Sequence, residues 1–89
     1  MPYIAEELRD LFDEPIEALA LSLAAVPEDK LMGCVNYVIT ALLAELPNGN
    51  YDSMNKIIGV LECAKLEYYR RIMAPYETRK MADHGDVYA

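Results

Sequence analysis

One stretch commits this 89-residue chain to helix. Met54, Ile57, Ile58, Leu61, Ala64, Lys65, Tyr68 and Ile72 recur at steps of three or four. That spacing lines one face of a 3.6-residue helix. Val60, Leu66, Tyr69 and Met73 widen the apolar arc, so the helix is expected to meet neighbours on more than one side. Asp52 or Ser53 suits the N-cap, because a short side-chain oxygen accepts from the free N–H groups of the first turn. Pro75 lacks an N–H and disfavours α geometry at Ala74, so the helix is expected over 52–74. A short C-terminal helix over 76–83 follows, ended by Gly85, with a tail over 84–89.

The remaining sequence supplies shorter helices. Residues 1–13 read as a short N-terminal helical arm, with Ile4, Leu8, Leu11 and Phe12 at helical spacing. Asp13-Glu14-Pro15 then reads as a helix start. Proline costs nothing in the first turn, and acids complement the positive end of the dipole. Helix 1 is therefore expected over 14–26. Pro27-Glu28-Asp29 opens helix 2, over 28–46, with a core stripe from Leu31 through Cys34, Val35, Val38 and Leu42 to Leu46. Gly33, Ala41 and Ala44 on its other side leave room for another helix. Pro47-Asn48-Gly49-Asn50 is a turn, since its residues tolerate positive φ. It predicts an antiparallel hairpin of helices 2 and 3. No β pattern and no repeat occurs.

The expected fold is therefore all-α and a single domain: a three-helix bundle or helical hairpin with an N-terminal arm and a C-terminal tail. So short a chain buries little more than about 60% of its unfolded surface. Yet 54% of its residues are apolar. The excess predicts a homo-oligomer whose interface finishes the core. The net charge of −7 opposes direct nucleic-acid binding, which needs a basic face, and opposes an anionic membrane surface. The apolar run Ala18–Val26 is far short of the ~20 residues of a membrane span. The acidic N-terminus lacks the basic start of a secretory leader, so the expected location is cytoplasmic. Cys34 and Cys63 sit in helical patterns without metal or redox spacing and read as buried free thiols. One histidine, His84, leaves too few soft ligands for zinc. No metal and no cofactor is expected.

Charge is divided along the chain. Glu6, Glu7, Asp10, Asp13, Glu14, Glu17, Glu28 and Asp29 face only Arg9 in the first third. Lys65, Arg70, Arg71, Arg79 and Lys80 cluster near the other end, beside Tyr68, Tyr69 and Tyr76. Glu67 precedes Arg70 and Arg71 by three and four residues, the spacing of surface ion pairs worth about 0.3–0.5 kcal/mol each. Docking of the basic end on the acidic segment of the same or another subunit is a second structural reading. The functional reading is an anion site, because guanidinium forks suit phosphate and tyrosines stack on a base. Asn36 and Thr40, one turn apart on helix 2, offer a donor and an acceptor together, for a ligand, for an interhelical hydrogen bond, or simply as solvated surface. The tail His84-Gly85-Asp86-Val87-Tyr88 is less polar than an idle terminus. It is expected to pack back on its own helices, to reach a neighbouring subunit, or to complete a pocket with Asp86 and Tyr88.

Asn36-Tyr37-Val38-Ile39-Thr40, Gly59-Val60-Leu61-Glu62-Cys63-Ala64-Lys65-Leu66-Glu67, Tyr69-Arg70-Arg71, Pro75-Tyr76-Glu77, Lys80 and Gly85-Asp86-Val87-Tyr88 together resemble a family of small all-helical proteins of bacteria and tailed phages. The resemblance covers residues 33–88. The family pattern often has Glu where this chain has Cys34 and Asn where it has His84. The resemblance implies an all-helical fold but no activity. Phage proteins of this size are often inhibitors or ligand sponges.

Three functions follow as expectations. The first is a non-enzymatic sponge that sequesters a small anionic, nucleotide-like ligand in an inter-subunit Tyr/Arg pocket. Arg70, Arg71 and Lys80 would meet phosphate and Tyr68 or Tyr76 would stack, with Asn36, Thr40, Asp86 and Tyr88 completing the wall. The second is a protein-interaction or inhibitor module built on the acidic arm and exposed apolar arc. The third is a magnesium-dependent nucleotide pyrophosphohydrolase, which needs paired carboxylates on its helices. The two long helices hold no Glu-x-x-Glu or Glu-x-x-Asp pair. Glu14 and Glu17 have that spacing, but they complement a helix dipole. No Ser/His/Asp set and no glycine-rich phosphate loop occurs.

Overall fold

The computed structural model describes residues 1–88, and every regular element among them is helical. Helix α1 spans Glu6–Ala24, α2 Glu28–Ala44, α3 Tyr51–Tyr68, and α4 Ala74–His84. A π-helical turn, Tyr69–Met73, joins α3 directly to α4. The chain is thus all-α. It divides into two compact units, one of residues Tyr3–Met54 and one from Asn55 onward together with Met1 and Pro2.

In the first unit, α1 does not start at Pro15. It begins at Glu6 and runs through the proline, so the separate arm over 1–13 and the helix over 14–26 are one element. Leu8, Leu11, Phe12, Ile16 and Leu19 continue one apolar stripe across Pro15. That stripe keeps its helical register at the cost of one hydrogen bond and a crowded Leu11 carbonyl. Its N-terminus has no side-chain cap. The Ala5 carbonyl accepts the Leu8 and Arg9 N–H groups at 3.0 and 3.1 Å, and the Arg9 Nε separately donates to the Ile4 carbonyl at 2.8 Å. Helix α2 starts after Pro27, whose extended backbone (φ −56°, ψ 142°) turns the chain. Glu28 and Asp29 lie in its first turn, where negative charge meets the free N–H groups.

Helices α1 and α2 touch. The half-buried residues of the unit are Leu23 and Val26 beside the turn, Leu31, Cys34, Val35, Val38, Ala41 and Leu43 along α2, and Ser53. None is fully buried. No described residue in either unit is buried. Leu11 is 64% exposed, Phe12 52% and Ile16 61%. Nothing stands within 4 Å of where a Cβ on Gly33 would lie. The thiols expected in a core are not in one: Cys34 is half-buried and Cys63 exposed.

The cap of α3 also differs from the expectation. Asn50 takes the place assigned to Asp52 or Ser53: its Oδ1 accepts the Ser53 N–H at 2.9 Å, and its carbonyl accepts from Met54 N–H at 3.2 Å. Asparagine at the end of a turn is as good a cap as aspartate or serine, and the helix opens one residue earlier, at Tyr51. No described helix is long and apolar enough to cross a membrane.

The largest departure is at Pro75. The expected break after Ala74 is absent, and helix continues from Tyr51 to His84. The Ala74 N–H reaches back five residues to the Tyr69 carbonyl. A regular α-turn would aim the Pro75 ring at the Arg71 carbonyl. One extra residue in the turn relieves that clash, which is the usual role of a π-bulge. It also rotates α4 relative to α3 by about 100°, the angle one residue subtends in an α-helix.

Candidate functional site

The C-terminal unit carries an open cleft of about 490 Å³. It is built by three consecutive pieces of chain: the start of the π-turn, helix α4 and the tail. Tyr69 lines it from the π-turn. Tyr76, Glu77, Lys80 and Met81 line it from α4. Asp86, Val87 and Tyr88 line it from the tail.

The tail is turned by Gly85. Helix α4 closes with the Gly85 N–H donating to the Met81 carbonyl at 2.9 Å. Gly85 then takes φ 95° and ψ 151°, a conformation that only glycine adopts without strain. A Cβ there would meet nothing within 4 Å, so glycine is needed for its backbone and not for room. Beyond it, Asp86 Oδ1 accepts the Tyr88 N–H at 2.8 Å, a local side-chain turn. The tail does not pack back on the helices. Val87 is 88% exposed and Tyr88 84%.

Polar groups of the cleft are largely occupied by one another. The Tyr69 hydroxyl donates to the Glu77 carboxylate, two turns further along. That hydrogen bond, and then the carboxylate's charge, hold the Tyr69 phenol above its ordinary pKa. Burial and the Tyr88 phenol add to the shift. The Thr78 hydroxyl donates to the Ala74 carbonyl at 3.0 Å. Two cations flank one ring: Arg79 Cζ lies 5.9 Å and Lys80 Nζ 5.6 Å from the Tyr76 centroid. Each such contact at an exposed site is worth roughly 0.5–1 kcal/mol. The cleft therefore has aromatic walls, a positive edge beside Tyr76, and an acceptor end at Glu77 and Asp86.

The residues named from sequence are distributed unevenly. Tyr76, Lys80, Asp86 and Tyr88 share the cleft. Arg70 lies outside its lining and is held by Glu67, with Nη2 at 3.1 and 3.2 Å from the two carboxylate oxygens. Tyr68 and Arg71 are exposed and do not line it. Asn36 and Thr40 belong to α2 of the other unit. The Thr40 hydroxyl donates to Asn36 Oδ1 at 3.0 Å, so the one-turn spacing makes an intrahelical hydrogen bond. Tyr69, Glu77, Met81 and His84 line the cleft without having been picked out. The proline at 75 was the available signal: a π-turn before it shifts the face that α3 hands to α4.

Among the described residues, then, the fold is that of a small all-α protein with an aromatic cleft at the end of its longest helical run. The chain belongs to the family described as a domain of unknown function (DUF6899), whose model matches residues 1–87. No curated relative and no solved structure matches it.

Proposed function

We propose that the chain is a non-enzymatic binding protein that sequesters a small, planar, anionic ligand of nucleotide type in the C-terminal cleft. The observation that carries this reading is the joining of Tyr69, Tyr76 and Tyr88 with Lys80 around about 490 Å³, within the usual range of ligand sites. A base stacks on tyrosine whatever its sequence identity, and the ammonium of Lys80 beside Tyr76 meets a phosphate. The Arg79 guanidinium lies 5.9 Å from the Tyr76 centroid but outside the cleft lining. Arg70 is engaged with Glu67 and neither Arg70 nor Arg71 lines the cleft, so the weight of anion binding shifts to Lys80. Sequestration in the cytoplasm of a bacterium or a phage-infected cell fits the resemblance to small bacterial and tailed-phage proteins.

Titration calorimetry with the four ribonucleoside 5′-monophosphates tests this. Binding of at least one, weakened about tenfold by Lys80→Ala, supports it. Absence of binding to all four overturns it.

A second reading rests on a separate observation. No described residue is buried, so both units present apolar stripes that water leaves uncovered. That favours a chain that works by association, with copies of itself or with another protein. A partner retained through high-salt washing, with no nucleotide bound, would favour this reading over the first.

A further inference from the structure

Tyr88 lines the cleft, yet 84% of it is open to water. Val87 lines it too and is 88% exposed. Two large apolar side chains on the lining of a cleft, covered by no other described residue, stand where a roof would be. The chain beside them has the mechanics of a strap. The hydrogen bond from the Tyr88 N–H to Asp86 Oδ1 holds 86–88 as one small unit. Gly85, at positive φ and with nothing within 4 Å of where a Cβ would lie, is the one residue between that unit and the end of α4. Change of backbone angle is thus concentrated at a single glycine, as in hinges that close over ligands.

We propose that Asp86–Tyr88 is a strap that pivots on Gly85 and closes over a planar ligand, with the Tyr88 ring as its second stacking plate opposite the helical wall. This rests on the nucleotide-type reading of the cleft. In the open form the ligand enters past Val87. In the closed form Tyr88 gives up its water to the ligand face, and the ligand is released only when the strap swings back. The strap therefore acts chiefly on the dissociation rate, where affinity differences among variants of one site generally lie.

The test uses the full chain and whichever 5′-monophosphate binds most tightly, with affinity and dissociation rate measured together. Tyr88→Ala is expected to weaken binding about tenfold, as loss of one stacking contact does, almost entirely through faster dissociation. Tyr88→Phe is expected to bind like the parent, because the plate is the ring. Gly85→Ala is expected to weaken binding through backbone strain alone. All three lie beyond the last turn of α4, and equal helix content by circular dichroism checks that the fold is intact. If the parent binds and Tyr88→Ala binds equally tightly with the same dissociation rate, the strap is wrong and the cleft reading stands. If the parent binds none of the four, both fall together.

Discussion

Tyr69 shows how one residue's chemistry depends on its helix. Its hydroxyl donates to Glu77, and deprotonation would set two negative charges against each other. The folded pKa is raised, so the pair's contribution is complete below the ordinary tyrosine pKa and is lost as pH rises through the raised value. It is thus intact through neutral pH and disappears only in alkali. Absorbance titration should find one tyrosine ionising later than the ordinary range. Tyr69→Phe should remove that late step, and Glu77→Gln should bring it down. An unchanged titration curve in Glu77→Gln would dissolve the pair. At the same scale, Arg70 illustrates a bland interaction winning. Glu67 three residues earlier takes its guanidinium, and Lys65 pairs with Glu62 at 3.1 Å in the same way. Exposed pairs of this kind add at most about 1 kcal/mol, but they occupy the charges that an anion site would need.

At the scale of elements, two prolines decide more than any hydrophobic residue does. Each looks like a boundary in sequence, and each lies inside a helix. Pro15 lies in the middle of α1, and Pro75 is accommodated by the π-turn. Pro75→Ala should let the turn relax toward regular α-helix, with a gain of at most about 3 kcal/mol. That regularisation would rotate α4 and part Tyr69 from Glu77. The late tyrosine step should vanish in Pro75→Ala although neither partner has changed. Retention of that step alongside higher thermal stability would mean that the π-turn does not depend on the proline. Asn50 supports a smaller expectation. Asn50→Ala removes the cap on α3 and should cost about 1 kcal/mol, read as a lower urea midpoint at matched protein concentration.

For the whole molecule, the governing fact is that no described residue is buried. Phe12, Ile16, Leu42 and Ile58 are each more than half exposed, and a helical chain leaves such stripes in water only at a large hydrophobic cost. Self-association is the expected remedy. Sedimentation equilibrium should find a discrete oligomer that persists at high salt, because burial of apolar surface is not screened. Phe12→Asp or Ile16→Asp should dissociate it. A monomer across the concentration range would show that the stripes are covered in another way.

Much of the helical content was legible because helix is a local matter. Periodicity in Met54–Ile72 and Leu31–Leu46 is enough to place helices there, and turn residues at 47–50 are enough to separate them. The cleft was half legible: Tyr76, Lys80, Asp86 and Tyr88 stood out by type, while Tyr69 and Glu77 did not. Their pairing hangs on one extra residue in a turn, and no spacing rule written for a regular helix contains it. The sequence by itself determined an all-α chain, its charge division and its surplus of apolar surface, since each follows from residue identity and short-range order. Only the tertiary structure decided that both prolines are absorbed, that Asn50 is the cap, that Arg70 is already partnered, and that the tail stands open beside the cleft. Those outcomes are contests between competing hydrogen bonds and clashes a turn or more apart, and they are settled by geometry in three dimensions.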